Sequence, residues 1–208
     1  VATPPPTRTS LPPAAAFVAG RLRETGLEVS LDEYKPGRVN VEARLENGAG
    51  PVFAFNTHMD TVPAGDGWSS DPFRLTEPDG RLYGRGTADD KAGIATHLAA
   101  FRAHGGNPSV GVTVFVEGEE ESGSPSLSRL LAAHRDTLAS DVIVIADSDN
   151  WSTEVPSLTV TLRGLADCVV EVATLDHGLH SGLWGGVVPD ALTALVRLLA
   201  SLHDDEGN

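Results

Sequence analysis

The stretch VFAFNTHMD, residues 52–60, begins as an almost wholly apolar run and ends in a histidine and an aspartate. Its apolar part, residues 52–56, predicts a strand that is buried on both faces, as in parallel sheets covered by helices. Two similar runs, residues 110–116 and 142–146, predict further strands that alternate with helical patterns along the chain. We therefore expect an α/β fold in which helices cover both faces of a mostly parallel sheet.

The remaining elements are predicted from hydrophobic periodicity and from glycine and proline signals. Helices are expected over residues 12–25, 90–104, 126–138 and 189–202. Additional strands are expected over residues 39–45, 158–162 and 167–173. Residues 61–80 are rich in Gly, Pro, Asp and Ser and predict a long loop.

Composition and charge narrow the classes of function. The 208 residues carry 15 Lys and Arg against 29 Asp and Glu, a net charge of −14, which argues against a nucleic-acid partner because phosphates need a basic surface. The single cysteine, Cys168, excludes a disulfide framework or a thiolate-rich zinc site within one chain. No apolar run approaches the ~18 residues that span a bilayer, and residues 1–13 lack the charged start of a signal peptide. We therefore expect no membrane partner and a cytoplasmic location.

Acidic residues or a histidine follow each of three apolar strands and also open one helix. His58 and Asp60 follow the first strand, EGEEE at residues 117–121 the second, and DSD at residues 147–149 the third, while Asp89 and Asp90 open the helix. Ligands of open α/β sheets bind at the carboxyl ends of the strands, so these side chains are expected to meet at one edge. Carboxylates so close together repel one another unless cations lie between them.

Each group also has a structural explanation that needs no ligand. Asp89 and Asp90 suit a helix N-cap, and His58 suits a hydrogen-bonded core position. The glutamate run suits a solvated loop, and the aspartates at positions 147 and 149 suit a turn. These explanations require four coincidences at one sheet edge, whereas a single metal site accounts for all of them.

Six motifs occur in the order found in a known family. They are HMD at residues 58–60, GRGTADDK at 84–91, EGEEESGS at 117–124, DSDNW at 147–151, LRG at 162–164 and LHSG at 179–182. Over residues 12–208 the chain resembles the M20 family of di-zinc peptidases and deacylases, such as carnosine-type dipeptidases, glutamate carboxypeptidase, acetylornithine deacetylase and succinyl-diaminopimelate desuccinylase. The resemblance implies a catalytic metal-binding domain over residues 1–163 and the beginning of a smaller α+β lid and dimerisation domain over residues 164–208.

The resemblance also assigns metal ligands. His58, Asp89 and Asp147 would bind one zinc ion, and Asp89 would bridge to a second zinc ion held also by Glu121. Asp60 would hydrogen-bond the other ring nitrogen of His58 and so fix its tautomer. One imidazole among carboxylates also tolerates cobalt or manganese.

The register of the glutamate run suggests a general base. In the pattern EGxEExGS, Glu120 would take a proton from the bridging water and pass it to the leaving amine, with Glu117 and Glu119 as bystanders. For the third strand, the pattern DxxNW and the distance to Pro156 favour position 147 over Asp149 as the ligand, and both remain open.

One ligand of the family is absent, and one further residue is implied. The second zinc of the family takes a histidine from near the end of a much longer chain, and no such motif occurs here, so the sequence indicates an N-terminal fragment whose second site is incomplete.

In dipeptidases of this type the lid forms a homodimer. The histidine that corresponds to His180 then reaches into the partner's active site and stabilises the oxyanion.

The two halves of the chain resemble different branches of the family. NTHMDTVP at residues 56–63 and the GW pair at residues 67–68 resemble the deacylases, whereas the stretch from residue 81 onward resembles the dipeptidases. We expect a two-zinc hydrolase that cleaves an amide bond in dipeptides or short peptides. The alternatives are an N-acyl-amino-acid deacylase and a non-catalytic metal-binding fragment.

Overall fold

The computed structural model describes residues 11–48 and 50–207, which divide into two compact units between Ser157 and Leu158. The first unit contains the sheet and the helices packed on it. The predicted boundary between a catalytic and a lid domain at residues 163 and 164 stays a prediction.

One mixed sheet runs through the first unit, and its strands are β1 (Glu28–Lys35), β2 (Arg38–Leu45), β3 (Val52–His58), β4 (Gly111–Glu117) and β5 (Val142–Ile145). Their order is β1-β2-β4-β3-β5. β4 and β5 lie parallel on either side of β3, whereas β1 with β2 and β2 with β4 are antiparallel. The parallel part consists of the three predicted apolar strands, and the α/β fold class is confirmed. The burial on both faces predicted for residues 52–56 is wrong, because most of these residues are only partly buried beside the exposed edge strand β5.

β1 has no counterpart among the predicted elements. Four of its eight residues, EVSLDEYK, are charged, and it lies at the sheet edge with an alternating exposed pattern, so its apolar signal is weak. It pairs with β2 across a tight turn at Gly37, whose φ of 79° lies in the left-handed region. This hairpin gives the sheet its antiparallel side.

Helices cover both faces of the sheet, as predicted. The helices of the first unit are α1 (Leu11–Arg23), α2 (Lys91–Ala103), α3 (Leu127–Ala133) and α4 (Arg135–Leu138). α1 and α2 share an apolar core with Val112 and Val114 of β4. Between these two valines, Thr113 Oγ1 donates a hydrogen bond to the Thr137 carbonyl oxygen of α4 at 3.2 Å. Because alternate strand residues point to opposite faces, α4 lies on the other side of the sheet from that core.

The single helix predicted over residues 126–138 is wrong, because the structure divides it at His134. This residue ends α3 and precedes α4. Its Nδ1 lies 3.0 Å from Oε2 of the buried Glu42 on β2. The break therefore coincides with a contact to a distant strand that a helical pattern does not contain.

The second unit contains the helices α5 (Ser181–Trp184) and α6 (Ala191–Ala200). The strands predicted at residues 158–162 and 167–173 are wrong, because these residues are irregular and largely exposed. A strand needs a neighbouring strand to pair its backbone groups, and within the described residues none pairs with this segment. The helix predicted over residues 189–202 is confirmed as α6. Asp190 Oδ1 caps it by accepting a hydrogen bond from Thr193 N–H at 2.7 Å.

In residues 11–48 and 50–207 no helix is both long enough and apolar enough to cross a membrane.

Candidate metal centre

Three parallel strands bring their carboxyl ends to one edge of the sheet, where polar side chains follow. His58 ends β3 and lies opposite Glu117, the last residue of β4. Asp147 follows the end of β5. Carboxylate oxygens of Asp89, Asp147 and Glu120 lie 2.8, 3.8 and 3.9 Å from His58 Nε2. The structure therefore brings His58 together with acids from three other chain segments.

The two ring nitrogens of the buried His58 have different neighbours. Nδ1 lies 3.4 Å from Asp60 Oδ1 and 3.2 Å from the Asp60 carbonyl oxygen, whereas Nε2 faces Asp89. A proton on Nδ1 leaves the Nε2 lone pair available to a cation. Burial by itself lowers the pKa of His58. The hydrogen bond to Asp60 and the charges of nearby aspartates outweigh burial and raise this pKa to about 9, so the surroundings favour positive charge.

Asp60 is fully buried and holds the segment that carries the glutamate run. Its Oδ1 accepts a hydrogen bond from Glu120 N–H at 3.2 Å, and its Oδ2 accepts one from Glu121 N–H at 3.1 Å. The sequence predicts the contact with His58, but the two amide hydrogen bonds are found only in the structure. One carboxylate therefore orients both the imidazole and the glutamate segment.

The four glutamates of the run differ in burial and direction. Glu117 and Glu119 are buried, which excludes a solvated loop for these two positions. Burial raises the pKa of the Glu117 carboxyl. Glu120 has 45 % of its side chain exposed, and burial together with the charge of Asp147 raises its pKa against the opposing effect of the His58 charge. Glu121 is partly buried, and its carboxylate lies within the group around His58.

The two aspartates before α2 have separate contacts. Asp90 is buried, its Oδ1 accepts from Gly93 N–H at 3.1 Å, and its Oδ2 accepts from His58 N–H at 3.2 Å. Burial raises the pKa of Asp90 to about 6. Asp89, joined to it by a cis peptide bond, is 59 % exposed and directs Oδ1 at His58 Nε2. The N-cap explanation thus holds for Asp90 and leaves Asp89 beside the imidazole.

Two groups of side chains have the spacing of metal ligands. In each group the ligand atoms lie within 4.8 Å of one another, and the groups are His58, Asp89, Glu121 and His58, Asp90, Asp147. A tetrahedral zinc ion with bonds of about 2.0–2.2 Å places its ligands about 3.3–3.6 Å apart, close to the separations around His58 Nε2. One imidazole among carboxylates also suits cobalt or manganese. The residues present therefore fit a metal centre.

The second group differs from the predicted ligand set in one residue. Asp90, rather than Asp89, accompanies His58 and Asp147. Both oxygens of Asp90 already accept backbone N–H groups, so Asp89 keeps the less engaged carboxylate. Each of these two groups contains His58 as its one histidine.

The chain is similar in sequence to known peptidases. The sequence profile of peptidase family M20/M25/M40 matches residues 54–202. This chain belongs to that family. It is 38 % identical over 200 residues to cysteinylglycine-S-conjugate dipeptidase of Corynebacterium striatum. The aligned residues cover 93 % of this chain and 44 % of the relative. It is 41 % identical over 161 residues to Beta-Ala-His dipeptidase of Homo sapiens, covering 74 % of this chain and 32 % of the relative.

Solved structures of M20-type enzymes share the fold. Human carnosine dipeptidase 1 matches with a TM-score of 0.63 at 30 % identity, over 98 % of this chain and 47 % of that one. The dipeptidase Dug1p from Saccharomyces cerevisiae matches with a TM-score of 0.67 at 24 % identity, over 97 % and 46 %, which shows the fold alone. The chain thus spans less than half the length of the relatives it matches.

Lys91 is a site residue of this M20 chain to which the sequence assigns no role. Burial lowers its pKa, and the charges of Asp60, Asp89 and Asp90 act in the opposite direction. Its Nζ is buried, and no described residue accepts a hydrogen bond from it. A buried ammonium group beside three carboxylates offsets part of their repulsion. The signal in the sequence is a lysine that directly follows two aspartates.

His180, in the LHSG motif, belongs to the second unit. It is exposed and precedes α5, and its Nδ1 accepts a hydrogen bond from Gly182 N–H at 3.1 Å. In the neutral imidazole this contact places the ring proton on Nε2. Its catalytic role, like the ligand and base assignments above, stays a prediction.

Proposed function

We propose that this protein acts as a two-metal peptidase that cleaves an amide bond in dipeptides or short peptides. The proposal is supported by the close approach of two carboxylates to one imidazole in a chain of the M20 family. His58 Nε2 lies 2.8 Å from Asp89 Oδ1 and 3.8 Å from Asp147 Oδ2. The similar proteins are named as dipeptidases for cysteinylglycine S-conjugates and for beta-Ala-His. Because the chain spans less than half their length, the activity is proposed for the whole protein.

The ligand assignments are those that the family resemblance implies. His58, Asp89 and Asp147 would hold one zinc ion, and Asp89 with Glu121 would hold the second. When bound, the ions polarise the scissile carbonyl group and acidify a water molecule. Asp60 would orient the ring of His58 through Nδ1, which leaves the Nε2 lone pair directed at the same place as the carboxylates.

Glu120 is the general base in this proposal. Its carboxylate oxygen lies 3.9 Å from His58 Nε2, and its half-exposed side chain is accessible to water and substrate. Asp60 fixes the backbone at Glu120, so the carboxylate can accept a proton and return it to the leaving amine from one position. Asp60 itself is a positioning residue, since it touches the ligand and the base.

His180 supplies an oxyanion donor from the partner subunit of a homodimer. Its Nδ1 is occupied by the Gly182 amide, so the neutral ring presents an N–H at Nε2. A donor of this kind, on a loop with Gly185 and Gly186 nearby, suits the negative charge that develops on the carbonyl oxygen.

An N-acyl-amino-acid deacylase is the second candidate, because residues 56–63 resemble the deacylase branch. The test is a panel of dipeptides, N-acetyl amino acids and N-succinyl amino acids with the full-length protein, with and without a chelator. Dipeptide hydrolysis that stops with the chelator and returns with zinc supports the peptidase. Turnover of the N-acyl compounds alone supports the deacylase, and no turnover with metal bound supports a non-catalytic metal-binding protein.

A further inference from the structure

Glu119 is buried and held by the β1–β2 hairpin. Only 3 % of its side chain is exposed. Its Oε1 accepts a hydrogen bond from the Tyr34 hydroxyl group at 3.1 Å and lies 3.2 Å from Arg38 Nε. Tyr34 lies in β1 and Arg38 begins β2. One side chain therefore fastens the glutamate segment to a hairpin distant in the sequence.

The backbone of Glu119 also closes the turn that carries Glu120 and Glu121. The Glu119 carbonyl oxygen accepts a hydrogen bond from Ser124 N–H at 2.9 Å. From the other side, the carboxylate of Asp60 accepts the N–H groups of Glu120 and Glu121. The turn is thus held at two points, by Asp60 and by Glu119.

Removal of one partner from the ion pair between Glu119 and Arg38 is costly, because the other partner is then left without its counter-charge. A buried carboxylate has lost its hydration and depends on its partners, and only 23 % of the Arg38 side chain is exposed. Arg38 Nη1 is buried without a hydrogen-bond partner in the described residues, so Glu119 is the main compensation for this cation. Truncation of Glu119 leaves a buried charge unpaired, and the hairpin and the turn must then move relative to each other.

We propose that Glu119 is a positioning residue, whose contacts with Tyr34 and Arg38 set the orientation of Glu120 and Glu121 at the metal centre. Where it concerns catalysis, this inference rests on the proposed function. Where it concerns the geometry of the turn, it does not. The sequence pattern EGxEExGS leaves position 119 open, so the anchor is a feature of this chain's own residues.

The first test measures amide hydrogen exchange at Glu120 and Glu121 in the metal-free protein. Glu119→Ala removes the anchor, and we expect exchange to become about tenfold faster, since a hydrogen-bonded charge holds the turn. Tyr34→Phe removes one hydrogen bond and should have a smaller effect in the same direction. Glu28→Gln is the matched control, because this exposed side chain begins β1, at the far end of the strand from Tyr34. It should leave exchange at the turn unchanged.

The second test measures dipeptide hydrolysis by the full-length, zinc-loaded protein. We expect Glu119→Ala to lower kcat about tenfold with KM within about twofold, and Glu119→Gln, which keeps an acceptor for Tyr34, to recover most of kcat. A purely structural role lowers the melting temperature and leaves kcat unchanged at temperatures where the variant is folded. If Glu119→Ala does not fold, Tyr34→Phe takes its place, with a smaller expected loss of kcat in the same direction.

The two tests fail in distinguishable ways. Unchanged exchange at the turn, or unchanged kcat in an active enzyme, overturns the positioning role when it is found in folded Glu119→Ala, or in Tyr34→Phe where Glu119→Ala does not fold. A wild-type protein that hydrolyses none of the substrates overturns the proposed function instead, and the exchange measurement then still decides whether Glu119 anchors the turn.

Discussion

Asp60 Oδ1 accepts a hydrogen bond from the backbone N–H of Glu120 at 3.2 Å. The same buried oxygen lies 3.4 Å from His58 Nδ1, so one carboxylate links the proposed metal ligand to the proposed base. Asp60 is two residues from His58 but sixty residues from Glu120. The first contact follows from the local chain, and the second follows from the parallel pairing of β3 with β4.

Asp60→Asn should disturb both contacts with little change of shape. An amide side chain cannot accept at both terminal atoms, so its NH₂ group meets the N–H of Glu120 or Glu121. We expect kcat to fall about 10–100-fold and stability to fall by about 1–3 kcal/mol. Kinetics and urea unfolding measure the two effects, and Asp66→Asn, in an exposed loop position, is the control. Wild-type kcat in Asp60→Asn contradicts the positioning role.

Glu120→Ala should separate proton transfer from metal binding. In the full-length protein we expect kcat to fall by about 10²–10⁴-fold, because the proton acceptor is removed, while the zinc content stays near that of wild type. Steady-state kinetics and metal analysis of the same sample measure both. Glu46→Ala, whose side chain is 80 % exposed, is the control. Unchanged turnover in Glu120→Ala excludes it as the base.

The 208-residue chain by itself should hold at most one tightly bound zinc ion and show negligible peptidase activity. His58, Asp89 and Asp147 offer a first site, whereas the second has only two carboxylates, which bind zinc weakly without an imidazole. Metal analysis after desalting measures the stoichiometry, and His58→Ala should abolish the tight site. Two retained equivalents, or robust turnover, contradict this prediction.

Glu42 should make the stability depend on pH. Burial raises its pKa above the ordinary value of 4.5, an effect that the charge of His134 reduces and that of Asp32 increases. A carboxyl whose folded pKa is raised contributes stability below its unfolded pKa and loses it as the pH rises through the folded pKa. Glu42→Gln mimics the neutral form and escapes this loss. The free energy of unfolding of Glu42→Gln, relative to that of wild type, should therefore increase as the pH rises from 4.5 toward neutrality.

Urea unfolding at a series of pH values measures this gain. Glu46→Gln, an exposed glutamate beyond the end of the same strand, should run parallel to wild type. A constant difference between Glu42→Gln and wild type over this range would show that the carboxyl does not titrate there.

His180→Ala should show whether the histidine acts across a dimer. We expect the full-length variant to lose mainly kcat, to retain its metals and to remain dimeric, since its side chain is exposed and bonds only its own turn in the described structure. Mixing it with Glu120→Ala should restore part of the activity, because a heterodimer contains one site with both groups intact. No recovery after confirmed subunit exchange rules out the cross-subunit role.

The predictable part of the fold is the part with strong local patterns. The apolar runs at residues 52–56, 110–116 and 142–146 form the parallel strands, because continuous apolar, β-branched sequence favours a strand. Of the three, only β4 is buried along its whole length, whereas β3 is partly buried and β5 is exposed at the sheet edge. The edge strand β1 does not need a continuous apolar sequence. Its charged residues interrupt the apolar pattern from which a strand is predicted. Residues 158–173 show the reverse failure, because a strand-like pattern does not supply the partner that a strand needs.

By itself, the sequence determined the parallel strands and the identity of the acids and histidine that follow them, because apolar periodicity and polar strand ends are local properties. The tertiary structure alone decided which carboxylates accept hydrogen bonds from the protein and which face the metal centre. Asp90 meets the His58 amide across 32 residues and Glu119 meets Tyr34 across 85, and both are thereby engaged by protein donors. A carboxylate is a cap, an ion-pair partner or a free ligand according to the donors within about 3 Å, and long-range strand pairing sets those donors.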